Sequence, residues 1–360
     1  MEKVRLLKGN EAIAHAAIRC GCDGYFGYPI TPQSEIMETL MELEPWDSTG
    51  MVVMQVESEV ASINMVYGAA GCGKMAMTSS SSPGISLMQE GISYLAAAEL
   101  PCVIVNVMRG GPGLGTIQPS QADYYQAVKG GGHGDYKMIT LAPASVQEMA
   151  DFTVLAFELA FKYLTPTMIL VDGTIGQMME KVILPPFRKR LTNDEIRLKC
   201  PWATLGKTSD RKPNSIISLR IESEEMEEIN LRLQGRYRQI EKHEVLFEEF
   251  HCEDAEYLII AFGITARVCQ KTVELVRAEG IKIGLLRPIT LFPFPTLAIR
   301  QYANQTKGIL TVEMNAGQMV DDVRLSVNGK IAVEFYGRMG GIVPTPEEVF
   351  EAFKNKFLES

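Results

Sequence analysis

The chain has 360 residues, 46% of them hydrophobic, and a formal net charge of −9. That length exceeds what one core usually supports, so two domains are expected, and dispersed acidic residues exclude the basic footprint of a nucleic-acid or anionic-membrane binder. No eighteen-residue apolar run occurs and MEKVRLLKGNEAIAH carries no signal-peptide core, so no membrane partner and a cytoplasmic location are expected.

In chain order, extended and helical patterns alternate through the first half. Strands are predicted over 25–30, 51–56, 75–80, 102–109, 136–141 and 167–172. The continuous apolar runs CVIVNVM and TMILV read as strands buried on both faces, the signature of a parallel sheet covered by helices. Helices are predicted over 31–43, with Thr31 as N-cap and Pro32 at the first helical position, and over 57–70, 83–98, 120–129 and 144–163. These elements make a doubly wound α/β domain over residues 1–190.

The stretch GAAGCGKM, 68–75, falls one residue short of a phosphate-binding loop, with Met75 where a hydroxyl should coordinate magnesium. A phosphate loop needs a strand before it and a helix after it. Here the order is reversed, so the glycines read as a helix-to-strand turn. Pro185-Pro186 and an RKR run interrupt the alternation. Residues 191–254 are expected to form a connecting segment containing a charged helix over 224–250, with Ile229, Leu233, Ile240 and Phe247 as its packing stripe. From 255 to 360 a second alternation, YLIIAF, IKIGLL, GILTVE and IAVEFY, predicts a smaller α/β domain.

Three residues carry candidate chemistry. Helical spacing places Glu57 on the face of Ala61 and Asn64, and Glu59 above Ile63 and Val66. A carboxylate turned toward an apolar face needs a partner or a ligand; capping of the helix N-terminus is the alternative. Thr31 and Arg109 both stand at the carboxyl ends of predicted strands, where doubly wound sheets bind ligands. Thr31 reads equally as a helix cap. Arg109, at the mouth of the loop RGGPGLGTIQPSQAD, suits either a bidentate grip on a carboxylate or a surface ion pair. The histidines at 15, 133, 243 and 251 have no metal or triad spacing, and only His133, in KGGGHGD, lies in a glycine-rich loop. Seven cysteines, at 20, 22, 72, 102, 200, 252 and 269, include no C-x-x-C, so reduced thiols are expected, with no iron–sulfur cluster or metal held by this chain.

The motifs GYPITPQSEI, ESEVASINMVYGA, SSPGISLMQE and VNVMRGGPGLGTIQPSQAD, in that order and spacing, resemble the α subunit of 2-oxoacid:ferredoxin oxidoreductases. The branched-chain (2-oxoisovalerate) type is nearest, followed by the 2-oxoglutarate and pyruvate types. The resemblance implies a pyrimidine-binding thiamine diphosphate domain followed by a transketolase C-terminal-type domain. By motif position, Glu59 matches the glutamate that touches N1′ of the coenzyme's aminopyrimidine and lets the 4′-nitrogen remove the thiazolium C2 proton. Thr31 matches the substrate-contacting threonine and Arg109 the substrate-carboxylate arginine, with Tyr28, Pro29 and Ile30 expected beside the cofactor. Ser82 departs from the family's glycine in this turn. The resemblance further implies oxidative decarboxylation of a 2-oxoacid to an acyl-CoA, with coenzyme A as co-substrate and ferredoxin as electron acceptor. It places the diphosphate site and its Mg2+ on a β subunit, and iron–sulfur clusters on that subunit and on a ferredoxin-like δ subunit, beside a γ subunit. A noncatalytic scaffold of the same fold is the competing reading.

Overall fold

The computed structural model describes residues 4–359 except 208 and 210. Mostly apolar runs take the centre of the larger sheet: all seven residues of Cys102–Met108 are buried, as are all seven of its neighbour Pro166–Asp172. Because both faces are covered, neither strand needs the polar alternation of an exposed sheet. The seven strands run in the order Thr290–Phe292, Ile139–Leu141, Pro166–Asp172, Cys102–Met108, Ala76–Ser80, Gly24–Gly27 and Val52–Gln55. Every pair is parallel except the first, which is antiparallel. From Gly24–Gly27 the chain steps outward to Val52–Gln55, then crosses back to Ala76–Ser80 on the other side. The crevice beyond the carboxyl ends of Gly24–Gly27 and Ala76–Ser80 is therefore the topological switch point, where doubly wound sheets take their ligands.

The second sheet has five strands, ordered Ala332–Gly337, Gly308–Glu313, Tyr257–Ile260, Ile283–Pro288 and Phe247–Phe250. The first four are parallel and the last is antiparallel. A separate two-stranded ribbon pairs Val4–Lys8 with Met179–Ile183.

Polar bonds staple the two units together. Gln121, fully buried, donates from Nε2 to the Phe262 carbonyl at 2.8 Å and accepts from the Met314 N–H at 3.0 Å. At the end of Pro166–Asp172, the buried Asp172 accepts the N–H of Ile264 at 2.8 Å as well as those of Thr174 and Ile175, both at 3.1 Å. Removal of its carboxylate from water raises its pKa to about 6.

Several expected elements differ. The helix expected over 31–43 spans Ser34–Leu43 with Gln33, not Thr31, at its N-cap position, because the Gln33 N–H closes a turn onto the Ile30 carbonyl first. The helix expected over 120–129 is only Tyr124–Val128. The charged helix ends at His243, and 247–250 is an edge strand of the second sheet. There the Leu246 carbonyl accepts from the N–H groups of Ile289 and Thr290, and tertiary pairing overrides local helix propensity. The turn at 68–75 is as expected: the helix Glu59–Gly71 ends, Gly73 takes a φ of 71°, and the strand Ala76–Ser80 follows.

Candidate active site

Ser58 starts the helix that carries Glu59. Its hydroxyl accepts the Ala61 N–H at 3.2 Å, so Glu59 occupies the first helical position, where the helix dipole favours an anion. Glu57 is exposed, whereas Glu59 is 6% exposed above the buried Ile63 and Val66. The Glu59 carboxylate nevertheless makes no hydrogen bond or ion pair with a described residue. Its neighbours explain what it faces. A Cβ placed on Gly84 would lie 2.1 Å from Ser80 Oγ and 2.5 Å from Glu59 Oε1, so both oxygens close on one point that only glycine leaves open. Ser80 is fully buried and its hydroxyl has no partner. A buried carboxylate and a buried hydroxyl without partners carry a desolvation cost that a ligand donating to them would recover.

Around the crevice, Gln33 fixes the 28–31 segment: it donates from Nε2 to the Tyr28 carbonyl at 3.0 Å and accepts from Ser79 Oγ at 2.5 Å. Tyr28 and Pro29 are exposed and Ile30 is half-buried. Thr31 is exposed, and its carbonyl accepts from Arg109 Nη1 at 3.0 Å. Arg109 Nη2 donates to the Leu114 carbonyl, also at 3.0 Å, while its buried Nε has no partner. The guanidinium is thus held by two carbonyls, and the donors those bonds leave over are of the kind that pair with a carboxylate.

Arg109 also borders a cavity of about 960 Å³ between the glycine-rich loop and the second domain, lined among others by Pro83, Ala122, Met314 and Met339. Arg109 is the only cation among the described lining residues. Glu59 lies off this cavity, joined to it through the 80–84 turn. The structure therefore brings Thr31 and Arg109 into contact and sets Glu59 in an adjoining cradle. His133 is exposed and does not join the site; its carbonyl accepts from the Ser93 hydroxyl. Sequence reasoning missed Ser80, Gly84 and Gln33. Only the S-S-S-S run, unusual at the end of a buried strand, hinted at the first. Among the described residues, no group of three His, Cys, Asp or Glu side chains is placed to hold a metal.

Comparison with known proteins gives the family. Residues 15–244 match the family model of the thiamine-diphosphate-binding region of pyruvate flavodoxin/ferredoxin oxidoreductases, and 255–349 match core domain II of pyruvate:ferredoxin oxidoreductase. The chain belongs to this 2-oxoacid:ferredoxin oxidoreductase family. It is 50% identical over 350 residues to the ketoisovalerate oxidoreductase subunit VorB of Methanothermobacter thermautotrophicus, covering 97% of each chain. It is 40% identical to the 2-oxoglutarate synthase subunit KorA of Archaeoglobus fulgidus, covering 89% of this chain and 91% of the relative. Among solved structures, the 2-oxoglutarate:ferredoxin oxidoreductase of Magnetococcus marinus, with 2-oxoglutarate, coenzyme A and succinyl-CoA bound, superposes with a TM-score of 0.84 at 27% identity. That match covers 98% of this chain and 65% of the other. A split-gene transketolase, at 13% identity and a TM-score of 0.60, shares the fold.

Proposed function

We propose that the chain is the subunit of a branched-chain 2-oxoacid:ferredoxin oxidoreductase that supplies the pyrimidine side of a thiamine diphosphate site completed by a partner subunit. The observation that carries this reading is Glu59: a buried carboxylate with no protein partner, at the switch-point crevice, beside an orphaned hydroxyl and a glycine that keeps the space open. Such a cradle fits the edge of an aminopyrimidine. Glu59 would share a proton with the ring nitrogen N1′, and Ser80 would donate to or accept from the same edge. Tyr28, Pro29 and Ile30 would flank the ring on a segment held by Gln33. When bound, thiamine diphosphate supplies the electron sink for loss of carbon dioxide. Arg109 would grip the substrate carboxylate with the donors left over from its bonds to Thr31 and Leu114, and Thr31, whose hydroxyl makes no bond to a described residue, would touch the substrate beside it.

The substrate side chain is read from the cavity. Its walls combine apolar side chains such as Pro83, Ala122, Met314 and Met339 with the acidic Asp123 and neutral polar groups, and with Arg109 committed to the carboxylate shared by all 2-oxoacids, no second cation among the described lining residues remains for a dicarboxylate. This supports a branched aliphatic side chain and agrees with the VorB relatives. The diphosphate with its Mg2+, the iron–sulfur clusters and the ferredoxin contact would lie on β, γ and δ partners, with coenzyme A accepting the acyl group.

The test is a steady-state assay of the assembled complex against 2-oxoisovalerate, 2-oxoglutarate, pyruvate and an aryl-pyruvate with a viologen acceptor. The highest kcat/KM is expected for 2-oxoisovalerate. A preference for 2-oxoglutarate would overturn the substrate reading, and no viologen reduction with any 2-oxoacid would overturn the reaction.

A further inference from the structure

Behind Arg109 lies a polar cluster that the proposed chemistry does not use. Asn106 is fully buried in the middle of the apolar strand Cys102–Met108, where a polar side chain persists only if its groups are bonded. Its Oδ1 accepts the Ser82 N–H at 3.1 Å, and its Nδ2 donates to Asp123 Oδ2 at 2.9 Å. The Ser82 hydroxyl donates to the same Asp123 oxygen at 2.6 Å and accepts the N–H of Arg109 at 3.0 Å. Two donors from separate segments thus converge on one carboxylate oxygen, and the hydroxyl between them holds the backbone of Arg109.

The conformation of Ser82 makes the arrangement informative. Its φ is 21°, a positive value that residues with a Cβ avoid. Such strain persists only where surrounding bonds over-determine it, and here the bonds that tie Ser82 to Asn106, Asp123 and Arg109 run through its side chain and its N–H, while its carbonyl accepts from Ser86. Asp123 and Ser82 both line the cavity that Arg109 borders.

We propose that Asp123 is a positioning residue which, through Ser82 and Asn106, sets the place of Arg109 and so the affinity for the 2-oxoacid carboxylate. This rests on the reading of Arg109 as the carboxylate grip. Asp123 touches no reacting atom. It fixes the hydroxyl that fixes the arginine backbone, while the Thr31 and Leu114 carbonyls steer the guanidinium.

The experiment is steady-state kinetics of the assembled complex in a double-mutant cycle. Asp123→Ala is expected to raise KM for the 2-oxoacid about tenfold, the typical cost of unmaking buried bonds to a carboxylate, with kcat changed far less. In an Arg109→Ala background the same substitution should change KM little, since it acts through Arg109. Asp123→Asn, whose carbonyl oxygen accepts both donors, should largely restore KM. Should Asp123→Ala fail to assemble, Ser82→Gly removes the hydroxyl while suiting the positive φ, and should raise KM similarly. Additive effects in the cycle, or an unchanged KM in Ser82→Gly, would overturn the proposal. An unchanged KM in Arg109→Ala alone would instead overturn the carboxylate-grip reading.

Discussion

Gly84 is the residue whose missing side chain the proposed site depends on most directly. An alanine methyl would meet Ser80 Oγ at 2.1 Å and Glu59 Oε1 at 2.5 Å, closer than real contacts allow. Alanine is also the better helix former by about 1 kcal/mol, and Gly84 lies in the first turn of the helix Pro83–Ala97. If helix stability alone mattered, Gly84→Ala would leave or raise the melting temperature and keep activity. The expected outcome is an assembled complex whose carbon dioxide release falls about a hundredfold, comparable to losing a positioned acid–base group. At Arg109, lysine offers one point charge in place of a fork bonded to Thr31 and Leu114. Arg109→Lys should raise KM for the 2-oxoacid about tenfold to a hundredfold, the usual worth of hydrogen bonds to a charged group; steady-state kinetics giving an unaltered KM would contradict that role.

Among elements, the end of the strand Pro166–Asp172 carries a pH signature. The Asp172 carboxyl is fully buried and titrates at about 6, against 3.8 for the exposed group. The folded chain therefore holds this proton more tightly than the unfolded chain. The resulting stabilisation is fully present below about pH 4 and is lost as pH rises through about 6, a swing of about 3 kcal/mol from the difference in pKa. Melting temperatures taken across this window should fall with rising pH for the parent chain by more than for Asp172→Asn. The variant should also melt lower at pH 7, because its amide cannot accept from both the Ile264 N–H and the helix start at 174–175. Equal slopes for the two proteins would remove Asp172 from this role.

How much of these elements could be read in advance follows from how local their causes are. The strand Cys102–Met108 was legible because apolar continuity acts within a few residues, and the helix expected over 57–70 was legible to within two residues of its start, which the Ser58 cap sets at Glu59. Glu59 was legible because the 3.6-residue period alone puts it above Ile63 and Val66. The cradle was not: Gly84 and Ser80 meet Glu59 across the sheet end, and nothing in their own neighbourhoods announces it. Likewise, the end of the charged helix at His243 depends on Thr290, 44 residues from Leu246, a contact outside any local window. Thr31 read as an N-cap because Pro32 follows it; the turn closed by Gln33 moved the helix start and left Thr31 outside the helix, exposed, with its carbonyl on Arg109.

At the scale of the whole molecule, the proposed site is one that a partner subunit completes. The edge strand Val52–Gln55, beside the helix of Glu59, leaves Val52, Met54 and Val60 between 42% and 46% exposed. An open edge with apolar side chains calls for cover, and a partner holding the diphosphate would supply it. The isolated chain is accordingly expected to be inactive and to bind thiamine diphosphate more weakly than micromolar, since half the contacts are absent; calorimetry that finds micromolar binding without the partner would contradict the shared site. The most direct measurement is carbon dioxide release from 2-oxoisovalerate by the assembled complex carrying Glu59→Gln. The amide keeps the size of the side chain and removes its capacity to exchange a proton, so assembly should be intact and turnover should fall by at least about a hundredfold. Turnover near that of the parent complex would contradict the account.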